Sequence, residues 1–496
     1  MFHSPPVRRS LLLLALCAPP AAAADIVVGP GQSIQAAIQS AVDGDRVLVQ
    51  PGTYDEEIDF GSKAIEVLAV GGPSATSLHL VNGGPQVVRF DAGVGQGSVL
   101  AGFHITRTDA FPGFANRGIM AFGGSPLLRD LVIEDIQAAN TLSAGGAVMG
   151  APRMERCIVR NCSAYDGGAV FGPATLIDCL FEDNLALGGG GAVHGDSGPI
   201  YMQNCRVLRN ASTFEGYGGG GIYAPNGGTL LNCLIADNTS GPSPYQDAGG
   251  GVRGPVDIKH CTIVGNTCET GPFSDDADGV FEANSIENSI VRGNGGVQLL
   301  AIGSVSHSNV EGGFAGSGNI DLDPLFVDPS LGDYHLQPGS PCVDAGLPGT
   351  SDPDGSPADL GYSWQRALYS DLSAVSLSAG GTQKLTLYLG PPNAGELYIL
   401  LGSLSGTSPG LPVGSFTLPL VYDAYTNLLL ADPGSAPVSH VVAALDANGR
   451  VEATFRLPAG TAPGLAGLTA HHAFFTFNAG FAVSAVSNAE PVQLVP

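Results

Sequence analysis

Lysine is nearly missing from this chain: after residue 24 only Lys63, Lys259 and Lys384 remain. Charged residues of every kind make up 13%, and no later apolar run is long enough to span a membrane. Proteins that hold nucleic acid neutralise its phosphates with lysine and arginine, so the composition argues against a nucleic-acid partner as well as a membrane span. The cysteines lack the paired short intervals of a zinc site. Glycine (72) and proline (36) are too abundant for long helices and suit short strands joined by tight turns. A hydrophobic content of 44% excludes a disordered chain. The 496 residues exceed one ordinary core, so a repeat array plus a second domain is expected.

Residues 1–24 read as an export signal. Arg8 and Arg9 precede the apolar run Leu11 to Leu16, and Ala22-Ala23-Ala24 offers a small-residue cleavage site. Its removal takes two arginines and no acid, leaving 18 basic against 45 acidic residues and a formal charge of −27. The expected location is therefore extracellular, free or attached to a cell surface. Such a charge keeps a secreted protein soluble, and it repels a polyuronate unless a cation or a local arginine compensates.

Five cysteines recur in one frame: Cys157, Cys179, Cys205, Cys233 and Cys261, with Ser289 taking the next turn at spacings of 22, 26, 28, 28 and 28 residues. An asparagine follows five residues later at Asn184, Asn210, Asn238, Asn266 and Asn294, and Cys162 replaces it in the first turn. A fixed period of this size means one supersecondary unit stacked on itself. Apolar residues sit three before the frame (Met154, Leu176, Met202, Leu230, Ile258, Ile286) and two after it (Val159, Phe181, Val207, Ile235, Ile263, Val291). The two-residue strand period points these inward. Asp178, Asn204, Asn232, His260 and Asn288 directly precede the frame, and short polar side chains tolerate the left-handed backbone of a sharp bend. A third strand starts at glycine runs: Gly167-Gly168, Gly190-Gly191, Gly220-Gly221 and Gly250-Gly251. Adjacent turns lie about 4.8 Å apart; the ladder cysteines then point in parallel, a poor geometry for a disulfide. They read as buried, mostly reduced thiols.

These features predict an all-β chain: a right-handed parallel β-helix solenoid with three short strands per turn, over 25–363. An amphipathic helix at Gln32 to Ala41 covers its first edge. A linker at 364–370 and a C-terminal β-sandwich at 371–496 follow, the latter from alternating strands such as Lys384 to Leu389, Leu397 to Leu401, Val451 to Leu457 and Phe474 to Phe477.

The stacked turns resemble the secreted β-helix proteins of the pectate-lyase-like superfamily, with their Leu-x-Asn-Cys-x-Ile pattern. The opening through Gly52-Thr53-Tyr54 and the closing stretches Asp323-Pro324-Leu325-Phe326 and Ser340-Pro341-Cys342 are similar as well. The C-terminal region resembles domains on secreted proteins of environmental bacteria such as planctomycetes. The resemblance implies the fold; lyases, hydrolases, epimerases and adhesins all share it.

The candidate site follows from the third strand. One residue per turn there should face solvent, giving the row Met149, Phe171, His194, Tyr223 and Arg253. Phe171, His194, Tyr223 and Arg253 are the expected substrate-binding residues, offering a sugar chain stacking and hydrogen bonds. Tyr223 would stack, Arg253 would meet acidic or hydroxyl groups, and His194 would hydrogen-bond or shuttle a proton. The alternative is a local satellite core under overhanging loops. Three long loops flank the row and carry Glu215, Asp247 and the cluster Asp275, Asp276 and Asp278. That cluster has the chemistry of a Ca²⁺ site, although a solvated acidic loop explains it too and the EF-hand spacing is absent. The expected partner is an extracellular polysaccharide or cell-surface glycan. If the protein is an enzyme, the reading is a Ca²⁺-assisted polysaccharide lyase rather than a glycoside hydrolase, with Arg253, His194, Glu215 and Asp247 as catalytic candidates. The polygalacturonase order of motifs and the pectinesterase Gly-x-x-Asp-Phe-Ile-Phe-Gly signature are both absent. A structural or adhesive surface protein is the third class.

Overall fold

The computed structural model describes residues 23–81, 83–108, 116–137, 144–213, 218–242, 248–269, 276–337, 339–351, 357–362, 367–370, 374–389, 393–407, 410–414, 416–434, 437–447 and 449–495. Its turns bend where the sequence expects them. Asp178, Asn204, Asn232, His260 and Asn288 have φ between 50° and 56°, in the left-handed region. A second bend follows five residues later at Asp183, Arg209 and Asp237, with φ of 54° to 57°.

Around these bends the chain makes short strands, each paired in parallel with its equivalent one turn on. Twelve strands, from Asp25–Val28 to Ser304–Ser306, form a first sheet; eleven, from Gly52–Tyr54 to Asn309–Val310, form a second. Ten more, from Ile58–Asp59 to Leu299–Leu300, form the glycine-led sheet. The register is continuous: Met154, Leu176, Met202, Leu230, Ile258 and Ile286 stand opposite one another in turn. This is a parallel β-helix. Three strands per turn were expected, and the middle turns add a fourth. Five two-residue strands, Ser163–Ala164 to Thr267–Cys268, pair just after the second bend.

The inward positions named from the sequence are all buried, each side chain contributing about 1.5–3 kcal/mol by leaving water. The five ladder cysteines are at most 2% exposed, and all eight described cysteines are free thiols. Each ladder thiol donates to the carbonyl two residues back, at 3.2 to 3.4 Å. Burial pushes the thiols of Cys157, Cys179, Cys205 and Cys233 well above the ordinary range.

Beside them runs a second ladder, of asparagines. Asn184, Asn210, Asn238 and Asn266 each donate Nδ2 to Oδ1 of the next member at 2.9 or 3.0 Å, ending on Asn294. The same Oδ1 atoms accept the backbone N–H of the preceding member at 2.9 to 3.0 Å. Asn294 passes the chain to Gln298 Oε1 at 2.7 Å. Backbone groups left over by the bend are thus satisfied inside the solenoid.

Helix α1 (Ile34–Ser40) covers the first edge, burying Ile34, Ala37 and Ile38, with Ser33 as its N-cap. Lys63 Nζ donates to the carbonyls of Ile38, Gln39 and Ala41 at 2.7, 2.8 and 2.7 Å, closing the helix C-terminus. At the other end, Phe326–Asp328 pairs antiparallel with Asp333–Leu336, and this closing segment lays Tyr334 and Tyr362 over Leu234, Ala236 and Val264 on the second sheet.

Among the described residues the C-terminal region holds two larger sheets and a short antiparallel pair, Leu411–Val413 with Phe416–Leu418. A six-stranded mixed sheet includes Leu397–Ser403 and Thr469–Phe477, and a three-stranded antiparallel sheet includes Gly381–Tyr388 and Arg450–Leu457. They share a core of Leu385, Leu387, Tyr398, Leu400, Phe455 and Phe474. The stretch 364–370, expected as a linker, contributes the strand Leu368–Ser370, whose backbone pairs with Leu385 to Leu387. Helix α2 (Ala424–Ala431) was not foreseen; Asp423 and Thr426 form its capping box. Ala374 and Val495 pack against Leu48, Leu68, Val70, Val99 and Ala101, on the outer face of the first sheet.

Candidate functional site

The glycine-led strands alternate inward and outward. Val148, Val170, Val193, Ile222, Val252 and Val280 are 0% exposed, so the residue after each points away from the core. The chain reaches these strands through a passage that admits no side chain. A Cβ on Gly168, Gly191 or Gly220 would lie 2.1 to 2.3 Å from the carbonyl oxygen of the next turn's glycine. That close approach is why the glycine runs recur.

The outward residues form one register: Asp59, Arg89, Met120, Met149, Phe171, His194, Tyr223, Arg253, Phe281 and Leu300. The four residues expected to line the site are therefore adjacent. The Phe171 and His194 rings are 5.0 Å apart at 66°, and His194 and Tyr223 are 4.8 Å apart at 61°. The Arg253 guanidinium lies 5.3 Å from the Tyr223 ring centre and 5.7 Å from that of Phe281, a cation held between two π faces.

The exposure of the row differs from the expectation. Met120, Met149, Phe171 and Tyr223 are half-buried, whereas His194 and Arg253 are only 6% and 8% exposed. Their neighbours one turn away explain this: rings about one strand spacing apart cover each other's faces. His194 Nδ1 also lies 3.4 Å from Asp166 Oδ1, which accepts the Gly189 N–H at 2.9 Å. Arg253 Nε lies 3.8 Å from Glu282 Oε2. The row is thus partly open at Met120, Met149, Phe171 and Tyr223 and closed at His194, Arg253 and Phe281.

Arg253 is poorly placed as a base. A general base must reach the proton it removes, and this side chain is 9% exposed between two rings. The lysines stand elsewhere: Lys63 closes α1, Lys259 pairs with Glu287 at 3.6 Å on the first sheet, and Lys384 pairs with Glu452 at 2.8 Å in the C-terminal region.

Glu215, Asp247 and Asp275 lie outside the described residues. Asp276 Oδ1 accepts the Ala248 N–H at 2.8 Å. The Asp278 carboxylate accepts from Cys268 N at 2.8 Å and Val297 N at 2.9 Å. These acids fasten backbone between turns, and among the described residues no three metal-ligating side chains converge. Asp276 and Asp278 thus tie backbone between turns, while Asp275, the third member of the expected cation cluster, lies outside the described residues.

The residues missed in the row are Asp59, Arg89, Met120, Phe281 and Leu300, and beside it Asp91, Asp166 and Glu282. Met120 and Phe281 follow single glycines, Gly118-Ile119-Met120 and Gly279-Val280-Phe281, so a search for double glycines passes over them. Asp166 and Glu282 carry no sequence signal beyond their distance from the strand.

Two solved structures show a resemblance. The pectate lyase Pel9A is 15% identical, with a TM-score of 0.43 over 69% of this chain and 96% of that one. A pectin methylesterase variant in complex with a hexasaccharide is 10% identical, with a TM-score of 0.22 over 57% of this chain and 86% of that one. At those values neither likeness bears on chemistry, and the β-helix rests on the strand ladders themselves. No protein-family model and no curated protein sequence matches the chain.

Proposed function

We propose that this is a secreted carbohydrate-binding protein whose β-helix, residues 25–363, holds a glycan across the outer row of the glycine-led sheet. The C-terminal region, 371–496, is then an accessory domain. The observation that carries this reading is the unbroken row Met149, Phe171, His194, Tyr223, with its open aromatic edges at Phe171 and Tyr223. Sugar rings present flat C–H faces that stack on aromatic side chains, and the hydroxyls around them take hydrogen bonds. His194, wedged between the two rings and backed by Asp166, fixes their spacing. The described surroundings favour binding over chemistry, since Arg253 is enclosed and the lysines are distant.

The test is retention of the mature protein on a panel of neutral and acidic polysaccharides, with released products read by near-ultraviolet absorbance. A stacking ring contributes about 0.5–1.5 kcal/mol, so Phe171→Ala with Tyr223→Ala should weaken retention by about 5- to 150-fold. Retention that survives the double substitution places the ligand elsewhere and refutes the site. An absorbing, unsaturated product would instead establish a lyase.

A further inference from the structure

We infer that the row is built for a neutral glycan and discriminates against uronates, an inference that rests on the carbohydrate reading above. The argument is a charge inventory of the row and its flanks. Among the described residues the row itself holds two cations, Arg89 and Arg253, each with a carboxylate beside it, while Arg117, three residues before Met120 on its strand, donates Nε to the Ala144 carbonyl. Arg89 donates to Asp91 Oδ1 at 3.1 and 2.8 Å, with Asp59 Oδ2 at 3.9 Å. Arg253 is enclosed by Tyr223 and Phe281, with Glu282 at 3.8 Å. Asp166 adds a further carboxylate behind His194. The open stretch between the two arginines is Met120, Met149, Phe171 and Tyr223, whose side chains carry no charge. A uronate chain laid there would meet Asp59, Asp91, Asp166 and Glu282 from its two ends and one side. It would do so on a protein of formal charge −27 once residues 1–24 are removed. Within a Debye length of about 8 Å in physiological salt such repulsion persists. A neutral chain brings the same stacking faces and hydroxyls without it.

The experiment compares the full mature chain on neutral glycans (glucan, mannan, galactan) and on polygalacturonate and alginate, with and without added calcium and sodium chloride. At least one neutral glycan should bind about tenfold or more tightly than either uronate, with an affinity that salt leaves unchanged. Asp91→Asn with Glu282→Gln, checked for folding by circular dichroism, should raise the ratio of uronate to neutral affinity by about three- to tenfold. Uronate binding that equals neutral binding and is lost in Tyr223→Ala overturns the inference while leaving the site standing. An unchanged ratio in the charge variant overturns it as well, and failure to retain any glycan removes both the inference and the reading beneath it.

Discussion

The asparagine ladder should be the most sensitive part of the solenoid, and Asn238→Ala tests it. Asn238 is 0% exposed. Its Oδ1 accepts the Asn210 N–H at 2.9 Å and Asn210 Nδ2 at 3.0 Å. Its Nδ2 donates to the Val207 carbonyl and to Asn266 Oδ1, both at 2.9 Å. Truncation leaves the Asn210 N–H without its acceptor and takes a donor from Val207. Asn210 Nδ2 keeps Phe181 O and Leu208 O, each at 3.0 Å, so it is not stranded. Two buried polar groups left short cost about 1–3 kcal/mol each, which sets the expected loss at about 2–6 kcal/mol. In a stack where each turn touches only its neighbours, the damage should be local. Hydrogen exchange should rise over the turns between Cys205 and Asn266 and stay unchanged near α1. The control is Thr239→Ala in the same turn, whose hydroxyl, among the described residues, meets Thr267 Oγ1 at 3.1 Å on an exposed edge; it should cost less than about 0.5 kcal/mol. Urea unfolding followed by circular dichroism reads both. If Asn238→Ala costs less than about 1 kcal/mol, or no more than Thr239→Ala, the ladder is not what secures the bend.

Other expectations follow from groups whose surroundings are equally well defined. Lys63→Met removes a charged donor from three carbonyls at the end of α1 and should cost about 1–3 kcal/mol, with faster hydrogen exchange in residues 34–41; a loss under about 0.5 kcal/mol would refute the cap. His472 in the C-terminal region is buried, and burial, aided by His471, lowers its pKa to about 3, while Tyr425 Oη lies 2.9 Å from its Nε2. The unfolded chain then binds the extra proton below about pH 6.5, so stability from this residue is present above that value and is lost as pH falls toward 3. A His472→Gln variant should show a flatter stability profile across that window in thermal melts, and an unchanged slope would count against a neutral buried imidazole. Thiol reagents should leave the ladder cysteines of the folded protein unmodified and reach Cys268 only slowly, because its pKa is pushed up to about 12. Rapid labelling of Cys205 or Cys233 without denaturant would contradict their burial.

What the sequence disclosed, it disclosed through repetition. The period places Met154, Leu176 and Met202 in one column, and the polar residue ahead of each cysteine marks a left-handed bend. A single turn would have shown neither. The short fourth sheet escaped because a two-residue strand such as Ala211–Ser212 has no period of its own. Helix α2 escaped although its capping box, Asp423 to Thr426, was present; the surrounding alternation suggested strands. The site was legible in alignment but not in exposure. That Phe171, His194, Tyr223 and Arg253 adjoin follows from the repeat. Whether His194 is open or covered depends on the rings 23 residues before it and 29 after it, and on Asp166, which no pattern connects to it.

The position of the row within the molecule supplies a further argument for its use. A β-helix has three long outer faces, and this chain covers parts of two of them with itself. The C-terminal region sets Ala374 and Val495 on the first sheet around Leu48, Leu68 and Ala101. The closing segment sets Tyr334 and Tyr362 on the second around Leu234 and Val264, and Cys342 and Leu360 around Ile290. Both covered faces are apolar where they are covered, as a surface that must be buried has to be. Among the described residues, no such cluster takes in Met120, Met149, Phe171 or Tyr223. Large apolar and aromatic side chains that are aligned and half-buried outside these clusters leave apolar surface in water. The same side chains on the first or second sheet would be explained by packing; on the glycine-led sheet their alignment is what the proposed glycan site rests on.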